Sequence, residues 1–99
     1  MPAAQRLFDD RQRFADGHIL HIRIWEVPGP VPPSEHRFKY ALFYGFPGVR
    51  EVLYDNERGK GDHRYYRDQE ERYVFIDIET LIADFLSDVR RLREEDDHG

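Results

Sequence analysis

The sequence contains no cysteine. This excludes a disulfide scaffold and a thiolate metal site, and it suits the cytosol. It also lacks an uninterrupted apolar run at its start, where MPAAQRLFDDRQRF mixes apolar residues with charge. Neither a signal peptide nor a membrane-spanning helix is expected, and no membrane partner. An excess of positive charge is missing too. The net charge of -5 argues against a protein that coats DNA passively. The charge is unevenly placed, because Glu94, Glu95, Asp96 and Asp97 supply -4 of it. Without that tail the body is near neutral, and local basic patches are allowed.

What is present fits one domain. The chain has 99 residues, enough for a single core. Of these, 39% are hydrophobic and 14% aromatic, which excludes disorder throughout. We expect a core over about residues 6–93 and an acidic, flexible tail over 94–99.

Several stretches carry the period-2 pattern of half-buried strands. Residues 6–14 are the weakest of them, and Asp16-Gly17 follows as a turn signal. Leu20, Ile22 and Ile24 then alternate with His21, Arg23 and Trp25. The run Pro28-Gly29-Pro30-Val31-Pro32-Pro33 can form neither helix nor ladder, because proline lacks the donor. A third strand is expected near residues 37–44, with Phe38, Tyr40, Leu42 and Tyr44 on one face. Gly45-Phe46-Pro47-Gly48 should turn the chain into a fourth strand, Val49 to Tyr54. Tyr73 to Ile76 is read as a fifth.

The final element is a helix over residues 77–93. Ile78, Leu81, Ile82, Phe85, Leu86, Val89 and Leu92 recur at spacings of three and four, one apolar stripe. Phe85 and Leu86 are expected to be buried. Asp77 is a candidate N-cap, and Arg90, Arg91 and Arg93 suit the C-terminal end of the helix dipole. The simplest architecture is α+β: an antiparallel sheet of four to five strands with this helix packed across it. No crossover helix is available for a parallel sheet.

The stretch from Tyr54 to Arg64, YDNERGKGDHR, is the candidate functional segment. It has almost no apolar content and reads as a long loop, where functional residues concentrate. Gly59 and Gly61 flank Lys60, so the backbone can approach a ligand. Lys60 offers a point charge, and Arg58 or Arg64 a fork for phosphate oxygens. His63 is the side chain suited to move a proton near neutral pH, with Asp62 or Asp55 to orient it. Solvated charges pairing with one another are the competing bland reading. A P-loop is excluded, because one residue separates the glycines and no Ser or Thr follows the lysine.

Asp55, Glu57, Asp62 and His63 could also ligate a divalent metal. The interleaved Arg58, Lys60 and Arg64 would repel the ion, so no metal and no cofactor are expected. Elsewhere, Arg23, Lys39, Arg37 and Trp25 can form a basic, aromatic surface for single-stranded nucleic acid. His18, His21 and His36 are weaker candidates.

The Asp16-Gly17 turn, Trp25-Glu26-Val27-Pro28, the proline run, Phe38-Lys39-Tyr40, the YDNERGKGDHR segment and Leu86-Ser87-Asp88-Val89 together resemble the TumE family of small prokaryotic proteins. The likeness spans roughly residues 7–93. It implies the toxin half of a toxin–antitoxin module, paired with a helix-turn-helix antitoxin. Asp55, Asn56, Arg58, Gly59, Lys60, Gly61, Asp62, His63 and Arg64 fall on the family signature. Many members carry a second histidine after the Asp-His-Arg run, where this chain has Tyr65. If that second histidine is needed in catalysis, this chain is impaired or uses Tyr65 instead.

Two functions of different class follow. The first is a cytoplasmic, metal-independent ribonuclease toxin, with His63, Lys60, Arg58, Arg64, Asp62 and Asp55 as catalytic residues. Asn56, Gly59, Gly61, Tyr65, Arg23 and Lys39 would bind its RNA substrate. The second is a binding module that partners the antitoxin or blocks a cellular target. A homodimer is compatible with either.

Overall fold

The computed structural model describes residues 4–57 and 59–97. Six strands and one helix follow in chain order: β1 (Gln5–Arg13), β2 (Ile19–Glu26), β3 (Phe38–Phe46), β4 (Val49–Glu57), β5 (Gly61–Tyr66), β6 (Gln69–Arg72) and α1 (Ile78–Asp97). The strands form one antiparallel sheet in the order β1-β2-β3-β4-β5-β6. Every strand pairs with its sequence neighbour, as local hairpins dictate.

The α+β class and the antiparallel sheet agree with the sequence reading, and the strand count does not. The segment from Asp55 onward is not a long loop. β4 runs on to Glu57, and the chain reverses at once into β5. The backbone N–H of Lys60 donates to Glu57 O at 3.0 Å, and Gly59 and Gly61 take φ of 88° and 79°. Only glycine adopts such angles without strain. Tyr73 to Ile76 is also not a strand. The sixth strand is Gln69–Arg72, four exposed residues on the sheet edge. Its side chains bury nothing, so no apolar alternation marks it.

Alternation places two residue sets on two faces. Leu20, Ile22, Ile24, Tyr40, Leu42, Tyr44, Val52 and Tyr54 point towards α1 and form the core with Leu81, Phe85, Val89 and Leu92. Phe85 is fully buried, as expected, whereas Leu86 is 37% exposed because it lies on the outer flank of the stripe. Asp77 caps the helix, its Oδ1 accepting from Thr80 N at 2.7 Å. The helix does not stop near Arg93 but continues to Asp97. There Arg67 pairs with Glu95 and Asp96, each at 3.2 Å. The rest of the expected tail, residues 98 and 99, lies outside the described residues.

The buried tyrosines need partners for their hydroxyls, and α1 supplies them. Tyr54 donates to Asp88 at 2.5 Å and Tyr73 to Asp84 at 2.7 Å. Arg93 donates to the Tyr44 hydroxyl at 2.6 Å. A polar seam thus fixes the helix on the sheet beside its apolar contacts. No helix among the described residues is long and apolar enough to cross a membrane.

Candidate functional site

The β4–β5 hairpin distributes the candidate residues by register. Asn56 stands opposite Asp62, and Tyr54 opposite Arg64, on the helix side. Asp55 stands opposite His63, and Leu53 opposite Tyr65, on the open side. Residues adjacent in sequence therefore belong to different environments.

On the helix side the candidate residues Asp62, Asn56 and Arg64 all have hydrogen-bond partners. Asp62 accepts hydrogen bonds from the Ser34 hydroxyl, from His36 Nε2 at 2.7 Å and from the Tyr40 hydroxyl at 2.6 Å. His36 Nδ1 accepts from Phe38 N at 3.1 Å, which leaves the ring proton on Nε2. Burial opposes ionisation of Asp62, but the three donors prevail and hold its carboxyl below the ordinary aspartate range. The network ties the proline segment to β5. Asn56, 1% exposed, donates to Phe38 O at 2.7 Å and accepts from Tyr40 N at 2.9 Å. It takes over where the β3–β4 ladder ends at Ala41 and Asp55. Arg64 pairs with Glu71 at 2.5 Å and donates to the Tyr54 hydroxyl at 3.1 Å. Asp62, Asn56 and Arg64 are thus committed to holding the fold together.

The open side differs. Along one row the register brings together Arg72, His63, Asp55, Ala41, Arg23 and Asp9. Asp55, Arg23, His21, Arg11 and Phe43 line a shallow depression of about 510 Å³. His63 is 3% exposed. Its Nδ1 lies 3.0 Å from Gly61 O, and its Nε2 lies 2.6 Å from Asp55 Oδ1. Burial raises the Asp55 carboxyl above its ordinary range, against the pull of His63.

Other candidates surround this pair. Arg23 lies with its guanidinium 5.8 Å from the Trp25 ring, its Nε buried and without a hydrogen-bond partner. Lys39 is exposed and stands opposite Trp25 on the neighbouring strand. Lys60 is exposed in the turn, and the nearby Tyr65 and Glu70 raise its ammonium above the ordinary lysine range. Tyr65 is 8% exposed, edge-on to His63, with the Arg50 guanidinium 3.5 Å above its ring. Gly59 N donates to Pro32 O at 2.9 Å, and a side chain on Gly61 would meet Pro33 at 3.0 Å. Arg58 lies outside the described residues.

Of the residues expected to act together, the fold gathers Asp55, His63, Arg23 and Lys39 on one face, with Lys60 at its edge. It sends Asp62, Asn56 and Arg64 to the other. Sequence reasoning left Ser34 and Tyr40 out of the candidate set and ranked His36 among the weaker candidates. The network they make joins segments distant in the chain, so no local pattern announces it. Alternation within Gly61–Tyr66 was the available signal for the split.

The sequence profile of the family described as Toxin TumE matches residues 3–93. That span is nearly the whole chain, and the chain belongs to this toxin family. No curated protein and no solved structure gives a significant match.

Proposed function

We propose that this toxin acts on RNA, holding the strand on the open face of the sheet and cutting it at the Asp55–His63 pair. The observation that carries the reading is the setting of that pair. A carboxylate and an imidazole lie in contact at 2.6 Å, and Asp55 lines the same depression as Arg23, whose buried Nε has no hydrogen-bond partner. Lys39 and Lys60 border the same face. Transesterification of RNA needs an acceptor for the 2′-hydroxyl proton and cations for the charge that builds on the phosphate. The 2′ oxygen bonds to phosphorus, and the 5′ oxygen leaves and takes a proton from water. A 2′,3′-cyclic phosphate and a 5′-hydroxyl remain. Asp55 is the member of the pair that meets substrate, since it lines the depression. His63 lies behind it.

The partner is a cognate helix-turn-helix antitoxin that neutralises the toxin by direct contact, and the setting is the cytoplasm. One observation favours the second reading, a binding module without catalysis: His63 is nearly inaccessible. Purified wild type and Asp55→Asn should be incubated with single-stranded RNA and the fragment ends determined. Cyclic-phosphate ends from the wild type alone support the ribonuclease. Growth arrest with intact RNA would replace it by the binding module.

A further inference from the structure

We propose that Asp55, Glu57 and His63 form a binding site for a divalent first-row transition metal ion. The inference deepens the reading above and rests on the same pair. Asp55 and Glu57 alternate along β4 and so share the open face, while His63 stands opposite Asp55 on β5. One ligand atom from each of the three lies within 4.8 Å of the others.

The state of the histidine points to a ligand independently. A carbonyl only accepts, so the 3.0 Å contact with Gly61 O puts a hydrogen on His63 Nδ1. In the neutral ring Nε2 then keeps its lone pair. It faces Asp55 Oδ1 at 2.6 Å, but off the line a hydrogen bond requires. Both atoms are buried and without a hydrogen-bond partner. Two buried acceptors this close repel unless a cation shares them. A backbone carbonyl that holds Nδ1–H is also the usual device for presenting Nε2 to a metal.

One imidazole and two carboxylates suit Mn²⁺ or Zn²⁺ better than the all-oxygen preference of Ca²⁺ or Mg²⁺. Three protein ligands leave a coordination position open, and the exposed Glu57 puts that opening at the surface. Of the three interleaved cations that weigh against a metal in the sequence, Arg58 lies outside the described residues. Arg64 turns to the helix side against Glu71, and Lys60 is exposed in the turn. Arg23 and Lys39 remain on the metal's side, where a phosphate oxygen completing the coordination shell would neutralise them.

Titration calorimetry of the chelator-stripped protein with MnCl₂, and separately with ZnCl₂, tests the site. The expected result is one saturable site per chain for at least one ion, with a melting temperature that rises with its concentration. Glu57→Gln alters an exposed residue, so it should fold as the wild type does and bind at least about tenfold more weakly. His63→Gln should bind neither ion. No saturable binding in the wild type, or an unchanged affinity in Glu57→Gln, would overturn the site. RNA cleavage measured in parallel separates the two readings. Metal binding without cleavage removes the ribonuclease alone. Chelator-resistant cleavage without metal binding removes the metal site alone.

Discussion

Asp55 and Asp62 lie on neighbouring strands of one hairpin and face opposite sides of one sheet. Asp62 receives three donors, and its carboxyl titrates below the ordinary range. Asp55 has a single off-line contact with His63, and burial pushes its carboxyl up. One carboxylate is fully compensated and the other is not. A folded protein ordinarily satisfies its buried polar groups, so a pair left unsatisfied where the sheet is open is the reason the proposed function is placed on that face. The compensated face does the holding.

The largest effects should come from breaking the helix side. Phe85 is fully buried in the core. Phe85→Ala should lower unfolding free energy by about 3–5 kcal/mol in denaturant titrations. A loss below about 1 kcal/mol would mean that α1 contributes little to the core. Asp62→Asn should follow, at about 2 kcal/mol, because the amide cannot accept all three donors. It should leave metal binding on the other face intact.

Acid sharpens the contrast, because the two shifts have opposite signs. A carboxyl lowered in the folded state stabilises the protein above its unfolded pKa, and that stability is lost as pH falls through the lowered value. Asp62 behaves this way. A carboxyl raised in the folded state does the reverse. Its charge opposes folding at neutral pH, and the penalty fades as pH falls through the raised value towards the unfolded one. Unfolding curves between about pH 3 and pH 7 should therefore lose acid sensitivity in Asp62→Asn and gain it in Asp55→Asn. The same slope in both variants would erase the distinction between the faces.

The smallest effect on stability should accompany a clear effect on binding. Arg23 makes no hydrogen bond through its buried Nε. Arg23→Ala should change stability by no more than about 0.5 kcal/mol. If the open face holds RNA, the same change should reduce the salt dependence of RNA binding by about one phosphate contact. Filter binding at several salt concentrations reads this directly.

Much of the fold was legible because periodicity reports burial. Leu20, Ile22 and Ile24 on β2, the tyrosines of β3 and the stripe of α1 all lie where alternation puts them. Leu86 strayed because a helical stripe is wider than the strip of sheet it covers. β6 was invisible because an exposed edge strand of Gln, Glu and Arg carries no apolar signal. Tyr73 to Ile76 misled in the opposite way. Tyr73 is buried, while Val74 and Ile76 are 79% and 68% exposed, so the run is apolar without being part of the ladder. The site was half legible. Composition marked the YDNERGKGDHR segment, but its charge made a hairpin look like a loop. Once the segment is seen as a hairpin, alternation along β4 and β5 separates His63 and Asp55 from Arg64 and Asp62.

The most direct test compares Asp55→Asn with Asp62→Asn in one RNA cleavage assay, after both are shown to be folded. The amide introduced by Asp55→Asn can donate a hydrogen to His63 Nε2, so that variant should be at least as stable as the wild type. The account predicts that Asp55→Asn retains its fold and loses cleavage, while Asp62→Asn loses stability and keeps cleavage below its melting temperature. Wild-type cleavage by a folded Asp55→Asn would contradict it.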